Sequence, residues 1–83
     1  MRRYAYRVCQ VQFATVTFAD GRWQGDVPVE SIQDLSRMGD HCPKVWDYLA
    51  AAGEEGWELA AAVSETSPHG QVERLYLKRP LDG

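Results

Sequence analysis

Three side chains that could act as a nucleophile, a base or metal ligands stand together in the sequence, at Asp40-His41-Cys42. A cysteine near the start of a helix has a lowered pKa and can attack a substrate, with His41 or His69 as the base. The CxxC or HxxxH spacing that is typical of metal sites does not accompany them. We therefore predict no catalytic residue, no metal ligand and no cofactor, and an activity based on Cys42 is the least supported alternative.

A second group of residues could bind an anion. Arg74, Tyr76 and Lys78 alternate along a predicted last strand, and Arg7 lies in a predicted first strand. If these strands are neighbours and Arg7 points outward, the four side chains form a basic patch with one aromatic ring on the open side of a sheet. Open sheets bind single-stranded nucleic acid by stacking bases on aromatic rings and pairing phosphates with basic groups. Binding of nucleic acid or an anionic ligand is therefore the alternative function.

The charge of the chain is unevenly distributed. Nine basic and twelve acidic side chains give a net charge of −3, which argues against a dedicated nucleic-acid binder. Between Asp26 and Glu65 there are nine acidic and two basic residues, whereas six of the nine basic residues lie near the two ends. The acidic middle of one chain could therefore meet the basic ends of a second copy.

The length and composition of the chain limit its class. Its 83 residues, of which 45% are apolar, suit one small globular domain. No apolar segment approaches the roughly 20 residues of a membrane span, and the basic start is not followed by the apolar block of a signal peptide. With two cysteines there is no disulfide framework. We expect a cytoplasmic protein with reduced thiols and no membrane contact.

The N-terminal segment has the alternation of a β-strand. Tyr4, Tyr6 and Val8 form its apolar side, which predicts that these three face the core. Arg7 and Cys9, on the other side, are then expected to face outward. A shift in the alternation further along the segment predicts bulges or bends, because a one-residue slip sends every later side chain to the other face.

Two bends and a hairpin are predicted for the residues that follow. The apolar phase shifts near Gln10 and near Ala14. Asp20-Gly21 is the signal of a type I′ hairpin turn. Folding the chain at this turn places Phe18 opposite Trp23 as a cross-strand aromatic pair.

The end of the main helix is the most informative local feature. Apolar residues at helical spacing predict a helix that starts at Pro43, with Asp40 or Cys42 as its cap, and ends before Gly56. Glycine has no Cβ and readily adopts the left-handed conformation that ends a helix. Trp57 then folds back on small alanines in the last turn. Gly56 and Trp57 are therefore predicted to be structural residues.

These elements predict one α+β domain over residues 1–83. It is a two-layer sandwich in which one main helix packs on one face of an antiparallel sheet of about four strands. Residues 16–39 are expected to be an insertion with a β-hairpin, a strand over 22–27 and a short helix over 31–38. The predicted core consists of Tyr4, Tyr6, Val8, Val45, Leu49, Trp57, Leu59, Val63, Leu75 and Leu77.

The strand that follows the helix offers a surface for association. Its predicted outward side carries Glu58, Ala60, Ala62 and Ser64, a small and half-apolar face that a second copy could cover. A domain of this size gains stability from association, and a symmetric dimer is the commonest form. We therefore predict a non-enzymatic interaction or self-association module, with a homodimer as the first expectation and an unknown protein as the other partner to consider.

Three segments of the chain resemble a known family. They are Tyr4-Ala5-Tyr6-Arg7-Val8, the Gly56-Trp57-Glu58-Leu59 turn with the helix end before it, and Leu75-Tyr76-Leu77-Lys78-Arg79-Pro80. This pattern is similar to that of small bacterial domains of unknown function, the "GWEL" domains. The resemblance implies the sheet, the main helix and a bacterial source, and it implies no activity, cofactor or site residue. The long connection between first strand and helix departs from the brief one of typical members.

Overall fold

Five antiparallel strands and one main α-helix make up the fold of the computed structural model, which describes residues 2–68 and 70–81. The elements are β1 Tyr4–Gln12, β2 Thr15–Ala19, β3 Arg22–Trp23, α1 Val45–Glu54, β4 Glu58–Ser67 and β5 Gly70–Pro80. The sheet order is β3-β2-β1-β5-β4. The predicted α+β class is confirmed, with five strands where about four were expected.

Two tight turns connect the first three strands. The chain reverses between β1 and β2 at Phe13 and Ala14, whose φ angles are 56° and 59°. The phase shift near Ala14 is therefore a hairpin, and it accounts for the fifth strand. The second turn lies at Asp20-Gly21, as predicted, and it pairs Phe18 with Trp23 at 5.5 Å between ring centres.

The structure reverses the predicted faces of β1. Cys9 lies opposite the buried Leu75 of β5, and directly opposite residues of antiparallel strands point to the same side. The alternate residues of β1 therefore point away from the helix, and Tyr6 is 66% exposed while Val8 is 39% exposed. The prediction that Tyr4, Tyr6 and Val8 face the core was wrong.

Two irregularities shift the register within the sheet. The first lies next to Gln10 in the pairing of β1 with β2, as predicted. The second is a bulge at Ala60 in β4, where Leu59 lies opposite an inward residue of β5 but Ala61 lies opposite Tyr76 on the other face. An extra residue in one strand sends all later side chains to the opposite side. The prediction that Leu59 and Val63 share the core face was therefore wrong, and Glu58 and Ala62, which were predicted on one outward side, also lie on opposite faces.

The segment between β3 and α1 contains less regular structure than predicted. Two 3-10 helices, Val29–Ser31 and Leu35–His41, take the place of the single helix expected over residues 31–38. The strand expected over residues 22–27 is limited to Arg22–Trp23. Gln24 continues beside β2 with one backbone hydrogen bond, which its N–H donates to a carbonyl of that strand at 2.9 Å.

The start of helix α1 is stabilised by a backbone hydrogen bond, and no side chain caps it. Lys44 is the N-cap residue, and its side chain makes no capping hydrogen bond. The first helical N–H, of Val45, donates to the carbonyl of Ala14 in the β1–β2 turn at 3.0 Å. A neighbouring turn thus satisfies one of the first N–H groups of the helix, which have no partner within the helix itself. The caps predicted at Asp40 and Cys42 were wrong.

The end of α1 has the predicted geometry. Gly56 has a φ of 91°. The N–H of Trp57 donates to the carbonyl of Ala52, and the N–H of Gly56 donates to the carbonyl of Gly53, both at 3.0 Å. These two bonds define a Schellman motif. The motif carries Trp57 back into the core, where it is 8% exposed and packs in one cluster with Ala52.

The core lies between α1 and the central strands. Its buried apolar residues are Cys9, Val11, Val16, Ala19, Ala52, Trp57, Leu75 and Leu77. The strand β4 contributes none of them, and all its described side chains are exposed. The helix layer therefore covers β1, β2 and β5 but leaves β4 uncovered on both faces.

Candidate interaction surfaces

The face of the sheet that points away from α1 is uncovered, and we call it the open face. Cross-strand pairing places on it Tyr4, Tyr6, Val8, Gln10, Phe18, Trp23, Val63, Arg74, Tyr76 and Lys78. Five of these ten side chains are aromatic, of which Tyr6 and Tyr76 are exposed and Tyr4, Phe18 and Trp23 are half-buried. Exposed aromatic groups on one continuous surface are typical of a binding surface.

The open face holds three of the four residues of the predicted anion patch. Arg74, Tyr76 and Lys78 point to this side of β5, as expected from the inward positions of Leu75 and Leu77. Arg7 lies on the other face of the sheet, and its placement in the patch was wrong. The prediction missed instead the tyrosines of β1, because it had assigned them to the core.

The basic side chains of the open face have acidic partners in β4. Arg74 Nη1 lies 2.6 Å from Glu65 Oε1, and the hydrogen bond with Glu65 raises the pKa of Arg74. Lys78 Nζ lies 3.9 Å from Glu58 Oε1 and 4.8 Å from the centre of the Tyr4 ring. Exposed ion pairs of this kind contribute little to stability. They do, however, balance the charge of the open face.

The strand β4 is a long edge of the sheet. At the opposite edge, β3 has only two residues, whereas β4 has ten and contains no Lys, Arg or Pro. Short strands, charged side chains, proline and β-bulges are the usual means by which proteins prevent pairing at an edge, and of these β4 has two glutamates and the bulge at Ala60. The centre of β4, residues 59–63, is apolar, and Leu59 and Val63 are 50% and 45% exposed on opposite faces.

On the helix side of the sheet, two arginines contact the ring of Trp57. The guanidinium carbons of Arg7 and Arg79 lie 4.6 and 4.5 Å from the ring centre. Arg79 Nη1 also donates to the carbonyl of Glu55 at 3.0 Å, and Arg7 Nη1 donates to Tyr48 Oη at 3.2 Å. These contacts join β1 and β5 to the end of α1. This cluster was not predicted from the sequence, because Arg7 was expected on the open face.

The surroundings of Cys42 do not favour a nucleophile. Its Sγ donates to the carbonyl of Met38 at 3.6 Å. Burial raises the pKa of Cys42, and the charge of Asp26 adds to this effect. His41 pairs with Asp26 at 3.2 Å, and His69 lies outside the described residues. The lowered thiol pKa expected for a Cys42-based activity is therefore not found.

Neither a metal site nor a membrane-spanning helix is found in the described part of the chain. Within residues 2–68 and 70–81, no group of three His, Cys, Asp or Glu side chains could hold a metal ion. No helix of these residues is long and apolar enough to cross a membrane.

Comparison with known proteins leaves the resemblance to the GWEL domains untested. No protein-family model, no curated protein and no solved structure matches this chain. The resemblance therefore stays a prediction from three sequence segments.

Proposed function

We propose that the chain is a non-enzymatic self-association module of the bacterial cytoplasm that forms a homodimer through β4. The observation that carries this proposal is the long free edge of β4 with its exposed apolar centre. An exposed edge presents unpaired backbone N–H and C=O groups, which pair readily with another strand. Pairing also removes exposed apolar surface from water, which stabilises a small domain with few buried residues.

The residues along β4 suit pairing with a second copy of the chain. Antiparallel pairing about a two-fold axis at Ala62 places Ala61 opposite Val63 of the second copy. Because the bulge at Ala60 puts Leu59 and Glu65 on opposite faces of the sheet, the pairing is carried by residues 61–63, which bring only small or apolar side chains to the seam. The centre of the strand is thus complementary to itself.

The topology explains why association would end at a dimer. Two sheets of five strands joined at β4 form one sheet of ten strands. Its two outer edges are then the β3 strands, which have two residues each. A symmetric interface of this kind uses the same surface on both copies and closes on itself. No long edge is left to bind a third chain.

The mass of the protein in solution, measured by light scattering, tests the proposal. We expect twice the chain mass of 9.4 kDa at both low and high salt, because the interface has an apolar centre and backbone hydrogen bonds. Val63→Lys places a charge at the seam in each copy. A cost of about 1.4 kcal/mol per chain raises the dissociation constant of the dimer about a hundredfold, since each dimer carries the change twice.

Val8→Lys is the matched control for this experiment. Val8 is 39% exposed on the open face of a central strand, so it receives the same substitution away from the edge. Circular dichroism should show both variants folded. A monomer at every concentration of the unmodified chain would contradict the proposal. A dimer that Val8→Lys dissociates and Val63→Lys does not would place the interface on the open face instead.

A second candidate function is the binding of single-stranded nucleic acid to the open face. It is favoured by the presence of three tyrosines, Tyr4, Tyr6 and Tyr76, on the same face as Arg74 and Lys78. Stacking of one base on an aromatic ring contributes about 1–3 kcal/mol. The net charge of −3 and the acidic partners of both basic side chains oppose binding, so this function ranks second.

Fluorescence anisotropy with a labelled oligothymidine tests the second candidate. If the open face binds it, Tyr6→Ala should weaken binding about tenfold, Arg74→Glu should weaken it as well, and affinity should fall with added salt. Trp46→Ala is the matched control, because this ring is 60% exposed on the helix layer. The absence of binding at low salt, or an equal loss in Trp46→Ala, would exclude the open face as a nucleic-acid site.

A further inference from the structure

A cleft on the helix side of the sheet has the chemistry of an anion site. Its volume is about 450 Å³, and it is lined by Arg7, Ala19, Asp20, Arg22, Gln24 and Tyr48. We propose that this cleft binds a small organic monocarboxylate through Arg7 and Arg22. The site is separate from the proposed dimer seam, because it lies beside β2 and β3, at the end of the sheet opposite β4.

Arg7 is fixed in the cleft by contacts on three sides. Its guanidinium lies over the Trp57 ring, and its Nη1 donates to Tyr48 Oη. Its buried Nε lies 3.5 Å from Asp20 Oδ2 and makes no hydrogen bond with the described residues. Burial disfavours the charge, but Tyr48 and Asp20 outweigh burial and raise the pKa of Arg7. A charged guanidinium is thus held in one position, and binding costs little further ordering.

The balance of charge in the cleft favours a monoanion. Arg7 and Arg22 are its two cations, and Asp20 is the one carboxylate among its described lining residues. Asp20 is already engaged, because its Oδ1 accepts the N–H of Val8 at 2.9 Å. Arg22 makes no ion pair with the described residues. Within this part of the cleft one positive charge is therefore left over, while the carboxylate of Glu55 lines the adjoining cavity. A planar carboxylate accepts paired hydrogen bonds from guanidinium groups.

A continuation of the cleft provides room for the body of such a ligand. A cavity of about 170 Å³ shares Arg7, Gln24 and Tyr48 with the larger one and extends along Ala51, Ala52 and Glu55. The alanine side chains are small, and the Tyr48 ring offers a flat apolar surface. Ligand clefts commonly combine apolar walls with a few polar groups that fix the orientation. A carboxylate with an aromatic or branched body fits this combination.

Titration with sodium benzoate, followed by proton–nitrogen correlation NMR, tests the proposal. We expect saturable shifts of the Nε–H signals of Arg7 and Arg22, and no saturable shifts with phosphate or chloride at the same ionic strength. Arg22→Gln should weaken benzoate binding about tenfold, the effect of one charge-assisted hydrogen bond. Arg3→Gln is the matched control and should change nothing, because Arg3 is an exposed arginine outside the cleft.

Asp20→Asn changes the charge of the cleft and leaves the turn intact. Asparagine tolerates the φ of 52° at this position, and its Oδ1 can still accept the N–H of Val8. Because the substitution removes the negative charge of Asp20, the net charge of the cleft becomes more positive by one. Benzoate should then bind at least about threefold tighter, and phosphate should begin to bind saturably.

Three results would overturn the proposal. Benzoate shifts that rise linearly without saturation would mean that the cleft is not a site. Equal benzoate affinities for the unmodified chain and Arg22→Gln would remove the guanidinium pair from the site. Saturable binding of phosphate to the unmodified chain, as tight as that of benzoate, would show that the cleft does not select a monocarboxylate.

Discussion

Replacing Trp57 by alanine should lower the free energy of unfolding by about 3–5 kcal/mol, as the truncation of a large core side chain does. The indole is 8% exposed and packs against the core cluster that contains Ala52. It also carries the guanidinium groups of Arg7 and Arg79 on its ring. The substitution therefore creates a cavity and removes two cation–π contacts. For a small domain with a total stability of about 5–15 kcal/mol, this loss is a large fraction of the whole.

Urea unfolding followed by circular dichroism measures this effect, because tryptophan fluorescence itself changes with the substitution. Trp46→Ala is the matched control, since Trp46 lies near the start of α1 with 60% of its surface exposed. We expect it to change stability by less than about 0.5 kcal/mol. Equal losses in the two variants would contradict the role of Trp57 as the anchor between the end of α1 and the sheet.

The turns and the helix end could be predicted because each depends on a few neighbouring residues. Asp20-Gly21 adopts positive φ angles that glycine accepts freely, and the two-residue loop fixes the pairing of Phe18 with Trp23. Gly56 has the same conformational freedom, and the position of Trp57 follows from hydrogen bonds within one helical turn. Information of this kind is local and is therefore contained in short segments.

The faces of β1 could not be predicted because the deciding contacts are distant in sequence. Each of the two faces of this strand carries both apolar and polar groups, because the tyrosine side chain has a polar tip and the arginine side chain has an apolar stem. Cys9 faces the core because it lies directly opposite the buried Leu75 of the last strand, β5. Arg7 is accepted on the same side because Tyr48 and Asp20 engage its guanidinium. Because the side-chain period of a strand is two, one wrong assignment inverts the whole strand.

The β1–β2 hairpin was missed for a related reason. Phe13 and Ala14 are not residues typical of a turn with positive φ at both positions. The turn is stabilised by a distant part of the chain, because the carbonyl of Ala14 accepts the first N–H of α1, from Val45.

The anion patch also divides into positions that local sequence determines and one that distant contacts determine. The positions of Arg74 and Lys78 follow from the local alternation of β5, whereas the position of Arg7 depends on the reversed face.

The substitution of Gly56 by valine should lower the free energy of unfolding by at least about 2 kcal/mol. A Cβ added at Gly56 meets no atom within 4 Å, so the cost does not come from a clash with the surrounding structure. It comes from the φ of 91°, which a β-branched residue adopts with difficulty. The chain can relieve this strain only by breaking the hydrogen bonds that end α1, and this would move Trp57 out of its place.

Gly53→Ala is the matched substitution three residues earlier, and it should have the opposite sign. Gly53 lies within α1, its φ is not positive, and an added Cβ also meets no atom within 4 Å. Alanine in a helix is more stable than glycine by about 0.5–1 kcal/mol, so this variant should unfold at higher urea than the parent. If both variants lose stability, a side chain at position 53 or 56 is destabilising for a reason other than the φ angle. If Gly56→Val is as stable as the parent, the end of α1 does not need a left-handed residue, and the position of Trp57 must be fixed by its contacts with the arginines and the core alone.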